Sequence, residues 1–249
     1  MKKMRLKPVV PAILLAALLP MLHSCLDNDD NYYIVYNAPN AIVTVKPIDN
    51  GAFYMQLDDS TTLLPVNMEK SPYGDKELRA LVSCYEVNNP DKTYSKAVHV
   101  NWIDSILTKP TVADKGTLND SLYGNDPVEI INDWITIAED GYLTLRFRTK
   151  WSGNGITHRV NLLTDVNPEN PYEVQFRHDA HGDICGIWGD GLVAFRLSDL
   201  PDTNGKTVKL KLTWNSYDRE KSTEFNYCTR KSTPSPINIA ETKSDIVLQ

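Results

Sequence analysis

The chain has 249 residues and carries 26 Lys and Arg against 32 Asp and Glu, a formal net charge of −6. Setting aside residues 1–24, which hold four cations and no acid, leaves 22 basic groups against 32 acidic ones, net −10. So acidic a body excludes a nucleic-acid partner, whose phosphates need clustered Lys and Arg, and 41% hydrophobic with 23% charged residues excludes a disordered chain.

Residues 1–24 read as a lipoprotein signal peptide. Lys2, Lys3, Arg5 and Lys7 form a basic stretch, followed by the apolar run Val9–Leu19, broken only by Pro11. That run has the length of a signal-peptide core, whereas a membrane-spanning helix takes about 20 apolar residues. Leu22-His23-Ser24-Cys25 follows and resembles the bacterial lipobox. In such signals the Cys becomes the mature N-terminus and carries acyl chains, so the resemblance implies lipidation at Cys25. His23 departs from the small or aliphatic residue usual at its position. Several acyl chains hold a protein on a membrane stably, whereas one does not. Residues 25–31 continue as Leu26-Asp27-Asn28-Asp29-Asp30-Asn31, an acidic tether with nothing to bury. This run also resembles the surface-export signal of lipoproteins in some Gram-negative anaerobes. The expected location is the cell envelope, as an outer-membrane lipoprotein, with display at the surface as the finer reading.

The body, read along the chain, is β throughout. The first half offers strands at Ala41–Ile48, Ala52–Asp58, Thr61–Val66, Glu77–Asn88 and Ser95–Leu107, separated by Asp, Asn, Gly and Pro. Asp49-Asn50-Gly51 is a turn, because Asn and Gly accept positive φ. Five strands in about 80 residues suit a small OB-like barrel, placed at residues 32–112. The segment Lys109–Pro127, rich in Asp, Gly, Asn, Thr and Pro, reads as the connection between domains.

The second half, residues 127–249, offers seven strands: Val128–Ala138, Tyr142–Lys150, Thr157–Asp165, Tyr172–His178, Leu192–Ser198, Thr207–Asn215 and Ser222–Cys228. Leu143, Leu145 and Phe147 interleave with Thr144, Arg146 and Arg148; Val208, Leu210, Leu212 and Trp214 interleave with Thr207, Lys209, Lys211 and Thr213. Such alternation marks antiparallel strands with one dry and one wet face. Asp140-Gly141 and Ser152-Gly153-Asn154-Gly155 supply hairpin turns. The fold class expected is all-β: a small OB-like barrel followed by an antiparallel immunoglobulin-like β-sandwich. The tail after Arg230 either adds a last strand or frays.

Cysteine usage fits an exported protein. Apart from Cys25, three thiols remain: Cys84, expected as a small buried residue, and Cys185 and Cys228, which lie in one half of the chain and are candidates for a disulfide.

The densest polar cluster is Arg177-His178-Asp179-Ala180-His181-Gly182-Asp183. His178, His181 and Asp183 are weak candidates for metal ligands, by imidazole nitrogen and carboxylate oxygen. The competing reading, a solvated turn at the end of a strand, is the stronger one, and no metal or other cofactor is expected. Nucleophilic catalysis finds no foothold, since the chain has neither a Gly-x-Ser-x-Gly elbow nor a His-Glu-x-x-His motif. Of the five Trp residues, Trp134 and Trp214 follow inward-facing patterns and read as core. Trp151, beside a turn, and Trp188, in a Gly-flanked loop before a strand, are the candidates for an exposed ligand-binding platform, such as one that stacks on sugar rings.

Taken together, the lipobox Cys25, the acidic tether, Asn31-Tyr32-Tyr33-Ile34-Val35 leading into the barrel, Phe53-Tyr54-Met55-Gln56-Leu57-Asp58-Asp59 and the sandwich segment Val193-Ala194-Phe195-Arg196-Leu197-Ser198-Asp199-Leu200 resemble the NigD-like family of lipoproteins. The resemblance implies an N-terminal OB domain, a C-terminal β-sandwich and a non-catalytic role of binding or bacteriocin immunity. It brings no catalytic residue; only Cys25 carries over, as the acylated position. The partners expected are the membrane, through the lipid anchor, and a protein such as a bacteriocin. The alternatives are a surface glycan-binding accessory lipoprotein and a divergent hydrolase or metal-binding protein.

Overall fold

The computed structural model describes residues 38–230. The expected signal peptide, Cys25, the acidic tether and the tail after Arg230 lie outside the described residues.

Strands β1 (Ala41–Pro47), β2 (Phe53–Gln56), β3 (Thr62–Pro65), β4 (Leu78–Val87) and β5 (Lys96–Ser105) close a barrel in the order β1-β2-β3-β5-β4. All of its pairings are antiparallel except β3 with β5. The β1–β2 turn runs through Asn50 and Gly51, both at positive φ, as their chemistry demands. Period-two alternation sends Val43, Val45, Phe53, Met55, Ala80, Val82, Val98 and Val100 inward, where they form the barrel core. Cys84 packs against this core half-buried, and burial raises its thiol pKa.

The sandwich has two five-stranded sheets. One contains β6 (Leu107–Pro110), β13 (Ile187–Arg196), β10 (Tyr142–Trp151) and β8 (Glu129–Ile130) in that order, with β9 (Ile137–Glu139) also on β10. The other runs β15 (Glu220–Tyr227), β14 (Val208–Asn215), β12 (Glu173–Asp179), β11 (Arg159–Thr164) and β7 (Val112–Ala113). Leu143, Leu145, Val193 and Phe195 from the first sheet meet Leu162, Val174, Phe176, Leu210 and Leu212 from the second. The alternation therefore reports the buried face correctly, and the class is all-β as expected.

Three details differ from the sequence reading. The segment expected as a connection, Lys109–Pro127, holds the end of β6 and all of β7, which pair in parallel with β13 and β11, so the strands of the sandwich begin at Leu107. Short polar edge strands carry no alternation to betray them, yet Lys109 of β6 donates to the Val160 carbonyl and to Asn161, tying the two sheets together. The expected strand Val128–Ala138 is split into β8 and β9 by a turn over residues 133–136. There the Asp133 carboxylate accepts from the Ile135 N–H and pairs with Arg146, and Trp134 swings outward to 50% exposure instead of joining the core. Trp214 is buried as expected. Finally, β12 and β14 pair in parallel, so the sandwich is mixed rather than wholly antiparallel.

The barrel and the near end of the sandwich share a buried polar seam. Arg79 of β4 is fully buried and donates to Thr44 of β1, to Thr144 of β10 and to Glu139 of β9 at 2.6 Å. Lys46 pairs with Asp140 at 3.1 Å, with both side chains nearly buried. The Tyr142 hydroxyl donates to Glu77, which also holds Arg230. Ile42, Ile106, Ile135 and Ala194 pack around Tyr142 beside this seam. The seam explains why Thr144, on the nominally wet face of β10, has no exposed surface. It also fixes a direction: β10 leaves the barrel at Tyr142 and ends at Trp151, about 30 Å further on at 3.4 Å per residue.

Candidate functional site

The far end of the sandwich holds the candidate site. It is built by the last residues of β10 and the first of β13, which pair from Arg146↔Leu192 to Trp151↔Ile187. The strand containing Trp188 thus begins at Ile187, earlier than the sequence indicates. Gly189 and Gly191 hide the strand pattern, yet they are what permits it. A Cβ at Gly189 would collide with the indole of Trp151, and one at Gly191 with the ring of Phe147. Both rings therefore lie over β13 on the inner face of the sheet.

Where the sheets part, they leave an open cleft of about 290 Å³ lined by Phe147, Thr149, Trp151, Ile156 and His158 with the β13 backbone from Gly189 to Gly191. Six large apolar residues are more than a third exposed at this end: Trp151, Ile156, Ile184, Ile187, Trp188 and Tyr217. The two sequence candidates, Trp151 and Trp188, are both exposed, at 43% and 51%. They do not form one platform, because alternation puts them on opposite faces. Trp188 stands on the outer face, edge-on to Tyr217 with centroids 5.0 Å apart and with the Lys150 ammonium 5.5 Å from its ring. The Tyr217 hydroxyl in turn accepts from the Lys150 N–H at 3.0 Å, holding the end of β10 where β8 no longer covers it. Beside them Asp190 accepts from Arg148 and Arg146, which hold its carboxyl down at about 2.

The His/Asp cluster forms the cleft's back wall through a residue the sequence reading missed. His158 Nδ1 lies 3.0 Å from His178 Nε2, and His158 Nε2 lies 3.3 Å from Asp183. Asp183 also accepts from the Ser152 N–H, and these bonds lower its pKa. A carboxylate accepts only, so a neutral His158 donates to it through Nε2 and accepts at Nδ1, which makes His178 the donor of the second bond. His178 is 1% exposed, and burial first, then His158, push its pKa down to about 4. His181 does not join them: it sits at positive φ in the Asp179–Asp183 turn and pairs with Asp179 at 3.3 Å. Of the three metal candidates, then, His178 and Asp183 serve one structural chain and His181 a turn, and no group of three ligands suited to a metal forms among the described residues. His158 was visible only as a lone His. The signal for it is the hairpin pairing that sets Val160 opposite His178.

Cys185 is exposed and Cys228 half-buried, and both are free, so the candidate disulfide does not form. Among the described residues no helix is long and apolar enough to cross a membrane.

Residues 42–106 match the family model described as the NigD-like N-terminal OB domain, and residues 110–227 match that of the NigD-like C-terminal beta sandwich domain. The second match starts at Pro110, the last residue of β6, and takes in β7. Among solved structures, a toxin-related protein from Parabacteroides distasonis is 36% identical, with a TM-score of 0.64 over 76% of this chain and 92% of that one. A NigD-like immunity protein from Bacteroides caccae shares the fold at 18% identity and a TM-score of 0.57, over 78% of this chain and 99% of that one. A lipoprotein from Bacteroides fragilis shares it at 13% identity and a TM-score of 0.51, over 77% and 98%. No curated protein matches the chain.

Proposed function

Because the chain belongs to the NigD-like family, whose two domain models together match most of it, we propose that it works in the cell envelope as a lipid-anchored, non-catalytic binding protein with an immunity-like role. Cys25 is the anchor, and the outer membrane is the membrane it reaches. The partner is a polypeptide, of which a bacteriocin is the type that the family reading suggests. The Parabacteroides distasonis relative is described as toxin-related, which agrees with a role beside a toxic protein.

The observation that carries this reading is the concentration of exposed apolar side chains at the end of the sandwich away from the barrel. Soluble proteins seldom leave such a patch uncovered, and where they do it marks a contact surface. Trp and Tyr are also the residue types that dominate binding energy at protein interfaces. Saccharide stacking gains less support, because Trp151 and Trp188 face opposite ways and the cleft is lined mainly by carbon. A metal-dependent or hydrolytic reading gains less again, because His178 is buried and bonded to His158 rather than aimed into the cleft.

Capture from intact cells with the full chain tests the reading. Recovery of one polypeptide partner supports it, and recovery of polysaccharide alone contradicts it.

A further inference from the structure

The two halves of β13 differ in their surroundings. Residues Val193–Arg196 lie between β10 and β6. Residues Ile187–Leu192 pair with β10 only. On their other side no strand pairs with this run among the described residues, and no backbone bond joins it to a described turn or loop. Natural sheets guard such an edge with unpaired charges, Pro or a bulge. Here the single charge on the run, Asp190, is drawn back over the sheet and neutralised by Arg146 and Arg148. The pairing to β10 is continuous and without a bulge.

The two faces beside this edge differ sharply. On the inner face, the glycines let the Trp151 and Phe147 rings lie across β13 and reach toward the edge. On the outer face, β10 presents Arg146, Arg148 and Lys150 against the carboxylates of Asp133 and Asp190. Lys150 pairs with no carboxylate among the described residues and lies over Trp188. Lys150 is therefore a cation on the outer face, beside this edge, that no carboxylate among the described residues pairs.

We propose that the free edge at Ile187–Leu192 takes an extended segment of the partner polypeptide as an added strand, alternating apolar residues toward Trp151 and Phe147 with acidic residues toward Lys150. This deepens, and rests on, the reading of the chain as a binding protein. Main-chain bonds supply attachment in this mode of recognition, and pockets for alternate side chains supply selectivity. The cleft supplies the pocket, since the same two rings line it. The added strand continues the line that β6 begins further along β13.

The test uses the full-length chain in detergent and a blocked heptapeptide alternating isoleucine and glutamate. The peptide is expected to slow amide exchange within residues 187–192. It is expected to bind at least tenfold more tightly than the same peptide N-methylated at its ladder-facing amides, a control that leaves the protein untouched. Trp151→Ala and Lys150→Glu should each weaken it severalfold or more. Equal binding of the N-methylated peptide, or no binding with exchange at 187–192 unchanged, overturns the proposal. So does an edge already protected without peptide and released by deleting residues 231–249, which would mean that the chain's own tail fills it. If wild type and Trp151→Ala capture the same partner from cells equally well, the edge is wrong and the binding reading stands. If neither captures a partner, the binding reading itself fails.

Discussion

The indole of Trp151 lies across Gly189 and fills the space that a Cβ there would take. The neighbouring pair repeats the arrangement, with Phe147 across Gly191. Both rings line the cleft, so the shape of the candidate site depends on two missing methyl groups in the facing strand. Gly189→Ala should push the indole outward into water. Overpacking of this kind costs about 1–3 kcal/mol, less where a side chain can move aside. Gly191→Ala should cost more, because Phe147 is nearly buried and has less room to yield. A red shift in tryptophan emission for Gly189→Ala, with a smaller fall in urea midpoint than for Gly191→Ala, is the expected outcome. Unchanged emission would contradict the ring's placement.

The seam between barrel and sandwich predicts joint unfolding. Arg79 is fully buried and pairs with Glu139, whose carboxyl burial pushes up while Arg79 draws it down. Arg79→Met would strand that carboxylate along with the Thr44 and Thr144 hydroxyls. Removing one member of a buried pair costs about 3–5 kcal/mol. The double change Arg79→Met with Glu139→Leu should recover much of the loss, because apolar replacement of both partners is often neutral. Urea unfolding followed by Trp102, in the barrel, and Trp214, in the sandwich, should give one transition in the wild type.

Much of this was legible in advance, for identifiable reasons. The barrel strands were found to within a residue or two at most ends, because Val43, Val45, Phe53 and Met55 alternate cleanly and Asn50-Gly51 marks the turn. The sandwich core followed in the same way from Leu143, Leu145, Leu210 and Leu212. What could not be read were side chains whose role is set by a distant strand. Thr144 and Lys46 look like solvent-facing residues and are buried by the other domain. The turn over residues 133–136 takes Trp134 out of a core that its spacing suggested. At the site, Trp151 and Trp188 were correctly marked as exposed, but only the register shows that they face opposite ways. His158 gave no signal by itself, since its bonds reach across a hairpin and into a turn.

Acid should loosen the back wall of the cleft. His178 ordinarily titrates near 6.5 and is held down to about 4 by burial and by His158, against the opposing pull of Asp126 and Asp179. The folded chain refuses a proton that the unfolded chain accepts, so this contribution is complete above pH 6.5 and is lost as pH falls toward 4. The full loss is about 3 kcal/mol, at 1.36 kcal/mol per pKa unit. Chemical denaturation between pH 7 and 4 should show a shallower decline for His178→Leu than for the wild type. Parallel declines would contradict the assignment.

The anchor has a simple test. Cys25→Ala should move the protein from the membrane fraction to the soluble fraction after cell breakage. A variant that stays with the membrane would contradict lipidation at that residue.

The central claim is that the chain acts by stoichiometric contact with a polypeptide, through the apolar end of its sandwich. The mass of the native complex captured from intact cells tests this most directly. The account predicts one copy of the chain with one polypeptide partner, and loss of that complex for Trp151→Ala. A mass equal to the chain alone, or to the chain with carbohydrate, would contradict it.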